Sequence, residues 1–146
     1  MIVQEILAKK GSEVYHTTPD TSVFDAISLM AAHDVGALIV MKKNRLKGII
    51  SERDYRNKVI LMGRTSKQTP VKDIMTSNVL CVSPDETIEK CMGIMTTHKI
   101  RHLPVLTRDK KLAGIISIGD LVKSIIDKQE IEITDMKNYI AGSYPG

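Results

Sequence analysis

The chain has 146 residues, 42% of them apolar and 26% charged, which suits one compact domain or two small repeats sharing a core. Aromatics make up 3%, with no Trp and a single Phe, so the core must be aliphatic and Met-filled, and a base-stacking surface for single-stranded nucleic acid is disfavoured. With 21 Lys and Arg against 17 Asp and Glu, the formal net charge of +4 favours an anionic partner without demanding a polyanion.

Taken in order, Met1 to Lys10 predicts a short amphipathic helix docked on the body, with Ile2, Val3, Ile6 and Leu7 at helical spacing. It lacks the continuous apolar stretch of a signal peptide, and no apolar run is long enough to span a bilayer. Gly11-Ser12 breaks it, and Val14 to Thr18 reads as a strand ended by Pro19-Asp20. From Ser22 the pattern turns helical, with Val23, Ala26, Ile27, Met30 and Ala31 on one face, and stops near His33-Asp34. Ala37 to Met41 and Leu46 to Ile50, joined by a polar turn at Lys42 to Arg45, form a hairpin. A second helix follows Ser51, with Tyr55, Val59 and Met62 on one face. Gly63 to Thr69 is a linker.

The same succession then returns: Val79 to Val82 as strand, Pro84-Asp85 as stop, and Ile88, Cys91, Met92 and Met95 as helix face. His102 to Leu106 and Leu112 to Ile116 make the second hairpin, Ile118 to Ile126 the closing helix, and Glu130 to Ile140 one more amphipathic helix. Val14, Pro19, Asp20, Met30, His33, Leu38 and Val40 recur 65 residues on. After one added residue in the second hairpin turn, Leu46, Gly48, Ile49, Ile50, Ser51 and Asp54 recur 66 residues on. The chain is therefore a tandem β-α-β-β-α duplication, an α/β fold with halves 1–70 and 71–146 and extra terminal helices. Packing two such units about a pseudo-twofold axis leaves two equivalent clefts.

Each half carries the phrase Gly-Ile-Ile-Ser-x-x-Asp, at Gly48 to Asp54 and at Gly114 to Asp120. The β-branched pair favours a strand and Ser-x-x-Asp the start of a helix. A helix cap accounts for one copy well; two copies in register invite a second role. Cys81 and Cys91 have neither metal-like nor redox-like spacing and read as small buried hydrophobes, in keeping with a reducing cytosol. His33 and His98 sit near helix C-termini, where histidine suits the dipole. His98 and His102 straddle a helix end and a strand with no third ligand, so no metal site is expected. Met30, Met92 and Met95 would suit either an internal or an intermolecular seam. There is no nucleophile elbow, Walker loop or Gly-x-Gly-x-x-Gly, so the chain does not read as an enzyme.

The doubled Gly-Ile-Ile-Ser-x-x-Asp, the Val71 to Thr76 linker and Ile100-Arg101-His102-Leu103-Pro104-Val105 resemble a cystathionine-β-synthase-type (CBS) domain pair, the tandem module called a Bateman domain. The resemblance covers about Val14 to Asp127. It implies a cytoplasmic regulatory homodimer that binds an adenosine-containing ligand (AMP, ADP, ATP, NAD(H) or S-adenosylmethionine) between the repeats, and acts on another protein without membrane or nucleic acid. An Asp can accept two charge-assisted hydrogen bonds from a ribose diol, and aliphatic strands can hold adenine. Carried over residue by residue, one cleft would use Ile116, Ser117 and Asp120 with Thr21, Ala26, Val35, Gly36 and Ala37. The other would use Ile50, Ser51 and Asp54 with Glu86, Cys91, Ile100, Arg101 and His102. Arg53, Arg101 and His102 would serve the phosphates. The halves are unequal, since Arg101-His102 stands opposite Gly36-Ala37 and Glu52-Arg53 opposite Ile118-Gly119. The Gly36-Ala37 and Gly119 positions tip the expectation towards the Asp120 cleft. A ligand-free dimeric scaffold and a nucleic-acid-binding regulator are the alternatives.

Overall fold

The computed structural model of the protein describes residues 1–11 and 13–140, so Ser12 of the expected Gly11-Ser12 break and residues 141–146 of the second half lie outside the described residues. Helix α1 (Val3–Lys10) is followed by β1 (His16–Thr17), α2 (Val23–His33) and the hairpin β2 (Ala37–Lys42) and β3 (Arg45–Ser51). Helix α3 (Glu52–Tyr55) runs on into a π-helical turn, Arg56–Ile60, and a 3-10 turn at Val71–Asp73 opens the second half. The second half then repeats the order with α4 (Ile88–His98), β4 (His102–Leu106), β5 (Leu112–Ser117) and α5 (Ile118–Ile140).

Matching local signals set matching elements. Ser22 Oγ accepts from the Asp25 amide at the start of α2, and Thr87 Oγ1 from the Lys90 amide at the start of α4, 65 residues on. Asp34 and Lys99 end these helices in the left-handed conformation. The first hairpin turns on Lys43 and Asn44, both at positive φ, as a two-residue turn matched to strand twist requires. The strand pairs slip register at the same place, between Val40 and Met41 and between Val105 and Leu106.

Each repeat has its own core. Val23, Ala26, Met30, Leu38, Val40, Ile50 and Val59 fill the first; Val82, Ile88, Cys91, Met95, Leu103, Val105, Ile116 and Leu121 fill the second. Met30 and Met95 are thus internal, and the partly buried Met92 packs on the second core. The segment ahead of each repeat packs into the other core: Val3, Ile6 and Leu7 of α1 into the second, Val71 and Ile74 into the first. Val3-x-x-Ile6-Leu7 and Val71-x-x-Ile74-Met75 are the same motif 68 residues apart. The glycines of the doubled phrase make room for it. A Cβ on Gly48 would lie 2.7 Å from the Thr76 carbonyl and 2.8 Å from Met75 Sδ, and one on Gly114 2.7 Å from Leu7 Cδ2.

Four expectations need correction. The first strand shrinks to His16–Thr17, parallel to Ile39 and Val40. Val79 to Val82 is no strand; a single bridge joins Val82 to Val105. The cause is Pro104. In the first half the Ile39 amide donates to the Tyr15 carbonyl, but Pro104, the counterpart of Ile39, has no N–H to donate. The π turn widens the helix after Tyr55, so Val59 is buried while Met62 is exposed. Ile118 to Ile126 and Glu130 to Ile140 are one helix, because no Gly or Pro interrupts Leu121 to Ile140.

Candidate functional site

Ser51 caps α3 through a reciprocal box. Its Oγ accepts from the Asp54 amide at 3.3 Å, while Asp54 Oδ2 accepts from the Ser51 amide at 3.0 Å and from Ser51 Oγ at 3.1 Å. The second copy does the same: Ser117 Oγ accepts from the Asp120 amide at 3.2 Å, and Asp120 Oδ2 from the Ser117 amide at 2.8 Å. Both carboxylates therefore serve their own helices first.

Their further partners differ. Asp54 Oδ1 pairs with Lys58 Nζ at 3.0 Å, one turn along, and Lys58 also donates to the Ile74 carbonyl. Asp120 Oδ2 pairs with Lys10 Nζ at 2.7 Å, from the last turn of α1, and Lys10 also donates to the Ile115 carbonyl at 2.9 Å. Burial pushes the Asp120 carboxyl up, but the bonds from Lys10 and Ser117 outweigh it and hold the group below its ordinary value. His102 is held below the ordinary imidazole value, first by burial and then by the charges of Lys10 and Arg101, against the pull of Asp120.

On the Asp54 side a cavity of about 620 Å³ opens between the repeats. Gly36, Ile49, Ser51, Glu52, Arg53, Asp54 and Arg56 come from the first repeat, Thr76, Asn78, Val79 and Leu80 from the connection, and Ile100, Arg101 and His102 from the second. Arg53 ties the halves together by donating from Nη1 to the Lys99 carbonyl. The lining holds three guanidiniums and His102 alongside the carboxylates of Glu52 and Asp54. Ile49, Val79, Leu80 and Ile100 add apolar lining beside the polar Ser51, Thr76 and Asn78.

Of the expected residues, Gly36, Ser51, Arg53, Asp54, Ile100, Arg101 and His102 come together here. Gly36 stands against His102, whose Cε1 would be 3.5 Å from an added Cβ, and so belongs to this cavity's wall. Ala26 and Ile50 are buried in the first core, Ile116 and Cys91 in the second, and none of them lines the cavity. Glu86 turns back on its own helix start, accepting from the Thr87 amide, while its carbonyl accepts from Val3. Thr21 and Val35 anchor backbone: the Thr21 carbonyl accepts from Val71, and the Val35 amide donates to Met30. Ala37 is buried in β2. Ser117 and Asp120 lie with Lys10 and do not line the cavity, although Ser117 pairs across the hairpin with His102, which does.

Sequence reading missed Thr76, Asn78, Val79 and Leu80, having assigned Val79 to Val82 to a strand; the proline opposite was the available signal. Ile49, Glu52 and Arg56 also line the cavity and were not among the expected residues. Burial pushes the Cys91 thiol up to about 11 and raises Cys81 as well, which disfavours the thiolate form of both. His33 stacks on Tyr15 with ring centroids 3.7 Å apart. Among the described residues, no group of three potential metal ligands exists, and no helix is long and apolar enough to cross a membrane.

Residues 3–60 and 71–127 each match the family model of the CBS domain. The chain is 43% identical over 139 residues to CBS domain-containing protein CBSX3, mitochondrial, of Arabidopsis thaliana; the match spans 92% of this chain and 66% of that relative, a third of whose length lies outside it. It is 32% identical over 132 residues to CBS domain-containing protein YhcV of Bacillus subtilis, spanning 90% of this chain and 86% of the relative. Among solved structures it is similar to a protein with CBS domains from Burkholderia ambifaria, with a TM-score of 0.85 at 47% identity over 88% of this chain and 96% of that one. A CBS-domain containing protein from Agrobacterium tumefaciens gives 0.81 at 38% identity, over 85% and 98%.

Proposed function

The chain belongs to the CBS-domain family, with two copies of the domain, and from that premise we propose that it is a regulatory module whose ligand is an adenosine-containing nucleotide held in the Arg53–Arg101 cavity. CBS-pair proteins are generally regulatory or signal-transduction modules. The observation that carries the reading is the cavity itself: about 620 Å³, lined by three arginines and His102 together with Ile49, Val79, Leu80 and Ile100. That volume falls within the range of small-molecule sites, and its lining supplies both the apolar and the cationic side chains a nucleotide calls for. Ile49, Val79, Leu80 and Ile100 accept the base; Arg53, Arg56, Arg101 and His102 face the phosphates. Asp54 accepts three hydrogen bonds already, which leaves room for roughly one more from a ribose hydroxyl, since a carboxylate has about four acceptor positions. The module carries no catalytic role in this reading; ligand binding changes the contact of the repeats, which Arg53 bridges, and a partner protein reads the change.

A thermal-shift panel of AMP, ATP, NADH and S-adenosylmethionine tests this. A ligand at about a hundred times its Kd stabilises by about 2.7 kcal/mol, and Arg101→Ala should remove most of the ATP shift. No shift with any of the four would dismiss the reading.

A second reading, a dimeric scaffold, draws on α5. Its inner face buries Leu121 and Ser124, but Val122, Ile126, Ile133, Met136 and Ile140 stay exposed on one stripe. Ile126, Ile133 and Ile140 fall seven apart, as do Val122, Gln129 and Met136, the seam of a two-stranded coiled coil. A parallel second copy would also set Glu132 against Lys137. The homodimer is compatible with ligand sensing, and salt-sensitive nucleic-acid binding, the remaining alternative, has only the +4 charge behind it.

A further inference from the structure

The two Ser-x-x-Asp boxes are alike, yet the chain ahead of each repeat treats them differently. After Met75 it leaves as extended backbone, and Thr76 exchanges both backbone hydrogen bonds with Ile49. Asn78 to Leu80 then runs along the wall of the Arg53 cavity. Ahead of the first repeat, α1 stays helical to Lys10. Ile115, the counterpart of Ile49, has its carbonyl taken instead by Lys10 Nζ at 2.9 Å, and the same ammonium holds Asp120 Oδ2 at 2.7 Å. Asp54 has no such visitor, since its lysine comes from its own helix.

We propose that Lys10 is a built-in occupant of the Asp120 cleft, the residue that leaves this chain with one nucleotide site instead of two and keeps a latent second site of the same ligand class. The proposal rests on the reading of the Arg53 cavity as a nucleotide site. A ribose hydroxyl seeking Asp120 Oδ2, which already carries the Lys10 and Ser117 bonds, must displace a charge-assisted bond. The competing ammonium is tethered, so its effective concentration is on the order of millimolar or higher. The second bond, to Ile115, keeps it there when the first opens.

The test is calorimetric titration of the full chain with ATP, counting sites per chain. Wild type should bind one ATP and Lys10→Met, which keeps the apolar stem, should bind two. Adding Asp120→Asn to Lys10→Met should return the count to one, and Lys10→Arg should stay at one. If Lys10→Met fails to fold by circular dichroism, Lys10→Gln takes its place. One site in both wild type and Lys10→Met, or two in wild type, overturns the proposal while leaving the Arg53 site intact. No site in wild type but one in Lys10→Met dismisses the Arg53 site and upholds the role of Lys10. No site in either overturns both.

Discussion

At the scale of single residues, Gly48 and Gly114 occupy equivalent positions but face different obstacles. A methyl on Gly48 would collide with the backbone carbonyl of Thr76, which is fixed by two hydrogen bonds to Ile49. A methyl on Gly114 meets only the tip of the Leu7 side chain, which can rotate away. Gly48→Ala should therefore cost about 1–3 kcal/mol in urea unfolding, and Gly114→Ala clearly less. Equal costs would show that the Thr76 bridge is not rigid. His102 and Asp120 set the response to acid. The folded-state pKa of His102 lies below its unfolded value, so the unfolded chain takes the proton first and stability falls as pH drops through the imidazole range. Asp120 is also lowered; its contribution is present above the usual carboxylate range and disappears as pH falls through its folded value. The melting temperature should drop from about pH 7.5 to about pH 5.5, and His102→Gln should flatten that step. An unchanged step would place its origin elsewhere.

Elements decide which cleft stays open. Both opening strands have the same sequence signal, Val followed five residues later by Pro-Asp, and were read alike. Pairing depends on the partner strand, and Pro104 withdraws the amide that Ile39 supplies in the first half. Leu80 is thereby released to line the cavity, while its counterpart Tyr15 stacks on His33. The length of α5 was underestimated for a different reason: Asp127-Lys128-Gln129 interrupts the apolar pattern without interrupting the helix. The result is a stripe that the molecule itself does not cover, with Ile133 54% exposed. Ile133→Glu puts a charge on the seam and should convert a sedimenting dimer to monomer at micromolar concentration while leaving the helix content unchanged. A dimer that survives this change would be held by some other face.

Across the whole molecule, the duplication, the α/β class and the position of both helix caps were legible, because each is a local pattern repeated in register. The exchange of leading segments was not. Val3-x-x-Ile6-Leu7 is a short amphipathic motif that could dock on any apolar surface, and only the structure shows it filling the core of the distant repeat. That exchange also delivers Lys10 to Asp120, a contact between distant segments that the Gly36-Ala37 and Gly119 positions, on which the expectation of an Asp120 cleft rested, do not encode. The large cavity lies instead on the Asp54 side, where Arg53 spans to Lys99.

The most direct measurement is a crystal structure grown with saturating ATP. Density for the base among Val79, Leu80 and Ile100, with phosphates against Arg53, Arg56 and Arg101 and Lys10 still on Asp120, is the predicted result. An empty Arg53 cavity, or nucleotide bound beside Asp120 alone, would contradict it.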